Sequence, residues 1–154
     1  MEGDFNKSSK FSIFTARRKS AEGFFVDKKR LFSGHSPVVS ADGLQMYYRS
    51  ADAETVNLAT RTNRDDEFGR PRPQSSLSFP GLDPAPRWLS ADGLTLYLDM
   101  KVKEGNGRAH TWEVNRESVK SNWQKPKLVK AEFKGKPKDF RFVQVSSTAD
   151  NLHL

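Results

Sequence analysis

Leu89-Ser90-Ala91-Asp92-Gly93-Leu94-Thr95-Leu96-Tyr97-Leu98 decides how this chain is read, because the chain carries the phrase more than once. Ser40-Ala41-Asp42-Gly43-Leu44-Gln45-Met46-Tyr47-Tyr48 states it fifty residues earlier, and Thr148-Ala149-Asp150-Asn151-Leu152-His153-Leu154 is a divergent third copy. Self-similarity at such a period marks stacked supersecondary units, each too small to bury its own apolar face. Within the phrase, Asp-Gly is a strong hairpin signal, and a two-residue type I′ turn is expected there. The residues after it alternate, with Leu94, Leu96 and Leu98 on one face of a strand and Leu44, Met46 and Tyr48 on the equivalent face of the other.

Working outward, each phrase sits in a four-strand unit. Val38-Val39-Ser40 reads as a first strand, Leu44–Tyr48 as the second, Thr55–Thr60 as the third and Gln74–Leu77 as a weak fourth. The order recurs as Arg87–Ser90, Leu94–Leu98, His110–Val114 and Lys127–Val129, with a further turn at Gly105-Asn106-Gly107. Ser33-Gly34-His35-Ser36-Pro37 and Pro80–Pro86 are rich in turn formers and read as the linkers between units. Before the first linker, Phe11–Ala16 reads as a strand, and Phe140–Val145 opens another unit near the C-terminus. A second landmark keeps the same period. An aromatic precedes a polar, basic step into the fourth strand at Phe25, Phe68 and Trp123. Helical periodicity is missing apart from one turn near Arg116 to Ser121.

These residues resemble the bacterial WD-repeat-like (PD-type) propeller repeat of the TolB type. The resemblance rests on Ser-Ala-Asp-Gly-Leu-Thr-Leu-Tyr, the upstream Pro or Trp, and the basic fourth strand. It spans about Phe11 to Leu154, with Asn151 replacing Gly in the third copy. It implies an all-β fold of four-stranded antiparallel blades around a channel. On that reading the chain holds a flexible segment 1–10, a half-blade 11–32, blades 37–77 and 86–130, and a half-blade 140–154. Pairing the two ends yields only three blades, fewer than the usual four to eight. The expectation is therefore an incomplete propeller: a fragment of a longer one, since Leu154 falls inside a strand. A six-bladed ring of two chains and an open arc are the other solutions.

Composition narrows the function classes. The 154 residues suffice for one core, and 11% aromatic content, with 11 Phe, argues against disorder despite 35% hydrophobic residues. No cysteine is present, so thiolate metal sites and disulfides are ruled out. No apolar stretch reaches the length of a membrane span and no leader pattern opens the chain. The expected location is the cytoplasm, or the periplasm or exterior if the chain derives from a longer precursor. The net charge is +7, with nine Lys/Arg against three Asp/Glu between Asn115 and Arg141. A field of that sign attracts anions, and it equally keeps β-edges soluble.

No catalytic constellation is legible. His35 lies beside Ser36 with no nucleophile elbow and no orienting carboxylate in view. His110 and His153 have no metal-ligand spacing, and Asp42, Asp92 and Asp150 are explained as turn residues. No cofactor is expected. The expectation is a non-enzymatic module binding a protein or peptide partner through His35, Arg49, Arg87, Tyr97 and Lys101, with self-association as one way to complete the ring. A propeller-based hydrolase of glycans or peptides is the alternative from another class. An anion-binding surface using Arg61, Arg64, Arg70, Arg72 and Arg87 is the third. Nucleic acid and membrane insertion are not expected.

Overall fold

The computed structural model describes residues 11–18, 20, 22–51, 55–102 and 109–129. The segment 1–10, the turn at Gly105-Asn106-Gly107, the connection from Lys130 and the whole of 140–154, with the third copy of the phrase, lie outside them. The fold is all-β, in two antiparallel sheets. The first has the order β1 (Ser12–Arg17), β2 (Val26–Val39), β3 (Gln45–Ser50), β4 (Val56–Thr60), β5 (Arg72–Pro73). The second has the order β6 (Leu82–Leu89), β7 (Thr95–Val102), β8 (His110–Asn115), β9 (Lys127–Leu128).

Both phrases are hairpins, as expected, but the turn is larger than a two-residue one. Gly43 N–H donates to Ser40 C=O, and Ser40 N–H to Gln45 C=O, so residues 41–44 form the loop. Gly43 and Gly93 take positive φ (76° and 71°), while Asp42 and Asp92 do not. The Asp acts through its carboxylate instead. Asp42 Oδ1 accepts from the Ser40 hydroxyl and the Leu44 amide, and Asp92 from Ser90 and Leu94. These bonds, the serine's first and the leucine's second, hold both carboxyl pKa values below the usual range. Ser and Asp at this spacing are therefore turn chemistry.

Two expected linkers are strands. Gly34 to Pro37 lies inside β2, and Pro80–Pro86 overlaps β6. Proline halts a ladder only where its missing N–H is needed. Pro84 and Pro86 stand on β6, the edge of its sheet, opposite Met100 and Leu98. In β2 the disturbance is absorbed as an irregularity between His35 and Val38, with Ser36 at φ 54°. The boundary drawn between 32 and 37 thus falls within one strand, although its two halves have different partners. Residues Val26–Ser33 pair with β1, and Gly34–Val39 pair with β3. The fourth strand of the first phrase's unit is Arg72–Pro73, and Ser75–Leu77 is a single 3-10 turn. Residues 116–121 form turns and bends without a helix.

The irregularity lets the β1–β2 ribbon cover one face of β3. Ile13, Met46 and Tyr48 cluster with Leu31, Phe32 and Phe68, and the Phe32 and Tyr48 rings stack at 5.1 Å. The other face of β3 presents Tyr47 to the second sheet. There it joins Val56, Leu77, Leu96, Leu98, Met100, Val114 and Trp123 in the main core. The alternation expected on β7 holds for Leu96 and Leu98, both fully buried. On β3 alternation alone misjudges Tyr47, because a strand between two layers is buried on both faces.

Candidate functional site

One constellation recurs in both sheets. The residue following the third strand of each sheet's unit is an arginine, Arg61 after β4 and Arg116 after β8. Each Nε donates to the carbonyl of the turn glycine, Arg61 to Gly43 O and Arg116 to Gly93 O, both at 2.7 Å. Each guanidinium lies over an aromatic ring seven residues on, Phe68 at 4.5 Å and Trp123 at 4.3 Å. Arg18, after β1, stands 5.2 Å over Phe25 at the same spacing of seven. Arg64 adds bonds to Asp42 O and Ala41 O. Of the arginines weighed as phosphate contacts, Arg61 and Arg64 thus grip backbone carbonyls. The pair is a clamp that fastens turn to loop, and the repeated aromatic is its legible half.

A second constellation lies where β2 meets β6. His35 and Arg49 face each other across the β2–β3 ladder. Arg49 Nε forms an ion pair with Asp83 of β6, and Arg49 Nη1 approaches His35 Nε2 at 3.2 Å. A guanidinium only donates, so Nε2 accepts, and the neutral ring carries its proton on Nδ1. Nδ1 is 3.0 Å from Ser36 Oγ and donates to it. In this arrangement His35 takes no proton from Ser36, which removes the one Ser/His pair that hinted at a nucleophile. Burial, then the charge of Arg49, lowers the His35 pKa, with Asp83 opposing and Arg87 adding to the effect. Phe11 meets the imidazole edge-on at 5.7 Å.

The fold brings four of the five expected surface residues to this junction. Besides His35 and Arg49, Lys101 stands opposite Asp83 in the β6–β7 ladder and is exposed. Arg87 projects from β6, paired with Asp99 at 2.6 Å yet close enough to act on His35. Tyr97 stands apart. Its ring packs on Trp88, and its half-buried hydroxyl donates to Glu113 at 3.2 Å. Burial, then Glu113, raises its pKa. Asp83, which sets the geometry of Arg49, escapes a reading of the sequence, because the prolines of β6 suggest a linker there. Among the described residues no group of three or more His, Asp or Glu could hold a metal ion, and no helix is long and apolar enough to cross a membrane. Comparison of the chain with protein-family models, curated proteins and solved structures finds no match.

The His35 environment predicts a pH response. The folded state favours the neutral ring, so the unfolded chain binds the proton more readily below its ordinary pKa of 6.5. Stability is fully retained above that value and declines as pH falls from there towards the lowered folded pKa. Thermal melts between pH 7.5 and 5 are expected to show this decline. In His35→Gln the part of it due to this residue disappears, and an unchanged slope would refute the assignment.

Proposed function

We propose that the chain is a β-propeller module of the WD-repeat-like type that binds an acidic segment of a protein or peptide where the first strands of its units meet. The observation that carries this reading is the cluster of Arg49, Lys101 and His35 around Asp83, with Arg87 beside it and paired to Asp99, on and beside the first strands of two consecutive four-strand units. In a propeller the first strand of each blade lines the channel, so the cluster falls at a channel mouth. Arg87 and Lys101 remain exposed there, where a carboxylate-bearing segment can reach them. The hydrolase alternative has less support because the His35 tautomer opposes base catalysis. The anion-surface alternative has less because Arg61 and Arg64 are occupied by carbonyls.

A fluorescein-labelled oligoglutamate peptide tests the reading by anisotropy at about 50 mM salt, where weak charge contacts are not yet screened. Alanine at Arg87 and Lys101 is expected to weaken binding at least ~10-fold, about 1.4 kcal/mol. Alanine at the equally charged Arg70 and Arg72, remote in the ladder, is expected to leave it within about twofold. Equal losses in both variants would mean undirected charge attraction and would sink the surface assignment.

A further inference from the structure

The hairpin between β1 and β2 departs in composition from its two counterparts, the connections β4–β5 and β8–β9. Phe25 lies under Arg18 as Phe68 lies under Arg61 and Trp123 under Arg116, so the clamp accounts for that ring. It does not account for the neighbours. Aligned on the aromatic, Phe24 stands where the other two have Glu67 and Asn122, and Val26 where they have Gly69 and Gln124. Further on, Lys28 stands in place of Pro71 and Pro126, and Arg30 in place of Pro73 and Leu128. The first hairpin thus carries extra apolar side chains beside the ring and extra cations on the strand that follows. Phe24 is 93% exposed, Phe25 67% and Val26 46%. Contiguous apolar area held in water marks a surface that meets something less polar.

Charge is sorted across the ribbon. Phe14 lies opposite Arg30 in the ladder, and Lys28 Nζ stands 4.3 Å over the Phe14 ring, so these three share one face. Among the described residues neither Lys28 nor Arg30 pairs with a carboxylate, and Arg30 donates to the Ser33 hydroxyl at 2.8 Å. The next pair, Thr15 and Lys29, faces the loop after β4, where Lys29 forms an ion pair with Glu67. Arg17 Nη2 donates to the Asp65 carbonyl at 3.2 Å on that side, and Asp27, Asp65 and Asp66 border the same cleft. The acids of the loop and Asp27 therefore lie on the inner side, and the outer face presents cations beside an apolar ring. Over residues 14–30 the sequence holds six Lys/Arg against two Asp/Glu, so the field around the tip is positive.

We propose that this hairpin seats on the surface of an acidic phospholipid bilayer. Phe24 and Val26, with Phe25 beside them, enter the boundary between headgroups and acyl chains, while Lys28 and Arg30 meet the anionic headgroups. Seating of this kind is peripheral and needs no spanning segment. A bilayer offers the two chemistries in the arrangement the hairpin presents, a plane of negative charge with apolar material directly beneath it. A fluid interface also accepts a projecting tip without a pocket shaped to receive it. Single-stranded nucleic acid fits less well, because it binds by stacking bases on open ring faces. Here Lys28 covers one face of Phe14 and Arg18 lies over Phe25. One weak anchor gives only marginal membrane binding, whereas an apolar anchor joined to a basic patch holds. Both halves of the hairpin are therefore needed. The inference goes beyond the acidic-segment surface and does not rest on it.

The test sediments the full chain with vesicles of phosphatidylcholine containing about 30% phosphatidylserine, and with pure phosphatidylcholine, at about 100 mM salt. Binding to the acidic vesicles is expected, at least ~10-fold tighter than to the neutral ones. Phe24→Ser with Val26→Ser, and separately Lys28→Ala with Arg30→Ala, are each expected to weaken it at least ~10-fold. All four side chains are exposed, so the substitutions leave the core untouched. Arg87→Ala with Lys101→Ala removes the same charge from the acidic-segment surface and is expected to leave vesicle binding within about twofold. That control separates failure here from failure of the other surface. With no native cysteine, Phe24→Cys can carry an environment-sensitive dye, whose emission should shift to the blue on acidic vesicles only. The same dye at Ser78→Cys, on the link between the sheets, should not respond. Equal binding to neutral vesicles, full binding by the Phe24/Val26 variant, or an equal loss in the Arg87/Lys101 variant would overturn the proposal. So would a single-stranded oligonucleotide that binds through these residues when vesicles do not.

Discussion

Arg116→Ala is expected to destabilise the chain by about 3 kcal/mol, measured by urea denaturation. The side chain is 7% exposed, and it donates to Gly93 O at 2.7 Å, to Val119 O at 3.1 Å and to the Tyr47 hydroxyl at 3.1 Å. Charge-assisted bonds of this kind are worth roughly 1.5–3 kcal/mol each before compensation, and a desolvated cation–π contact adds about 2 kcal/mol. Loss of the group also leaves the buried Tyr47 hydroxyl without this donor. Arg61→Ala provides the comparison. It removes the same turn contact and the same stacking, but at a half-buried site with no Tyr47 equivalent among the described residues, and is expected to cost only ~1 kcal/mol. If the two substitutions cost the same, the inter-sheet bond to Tyr47 contributes nothing.

Gly34→Ala is expected to cost about 3 kcal/mol or more, enough to leave a large unfolded fraction in a protein of ordinary stability. Gly34 has φ 155°, and a Cβ there would stand 2.8 Å from Tyr48 Cδ2 and closer still to the Arg49 carbonyl oxygen. Neither neighbour can retreat. Tyr48 is held in the Ile13–Met46 cluster, and the Arg49 carbonyl belongs to the β3 backbone. Gly81→Ala isolates the backbone component, because its φ is 74° but nothing lies within 4 Å of the added carbon. A cost of only ~1–2 kcal/mol is expected there. Thermal melts of the two variants distinguish steric clash from conformational strain.

These substitutions also mark where the sequence is legible. The Asp-Gly hairpins can be read because their chemistry is local: Ser40, Asp42 and Gly43 satisfy one another within six residues. The β7 face can be read because one side of that strand meets the core. Gly34 and Pro84 mislead for the opposite reason. Glycine and proline usually end strands, but here one sits where β2 changes partner from β1 to β3 and the other on an edge, and both facts depend on strands distant in sequence. The surface residues His35, Arg49, Arg87 and Lys101 can be chosen as polar and loop-adjacent. Their meeting at one junction cannot, since it depends on β2 packing against β6. Arg116 reads as the start of a turn, and only the packing of Tyr47 shows it to be a core residue.

The arginine clamp bears on the order in which the chain acquires structure. Arg61 closes on Gly43 across 18 residues and Arg116 on Gly93 across 23, whereas Arg116 reaches Tyr47 across 69. Short closures come at lower entropic cost and form sooner than long ones. Each sheet can therefore lock its own turn as soon as its third strand has left the ribosome, before its neighbour exists. The same guanidinium that finishes the second sheet then checks that the first is already in place.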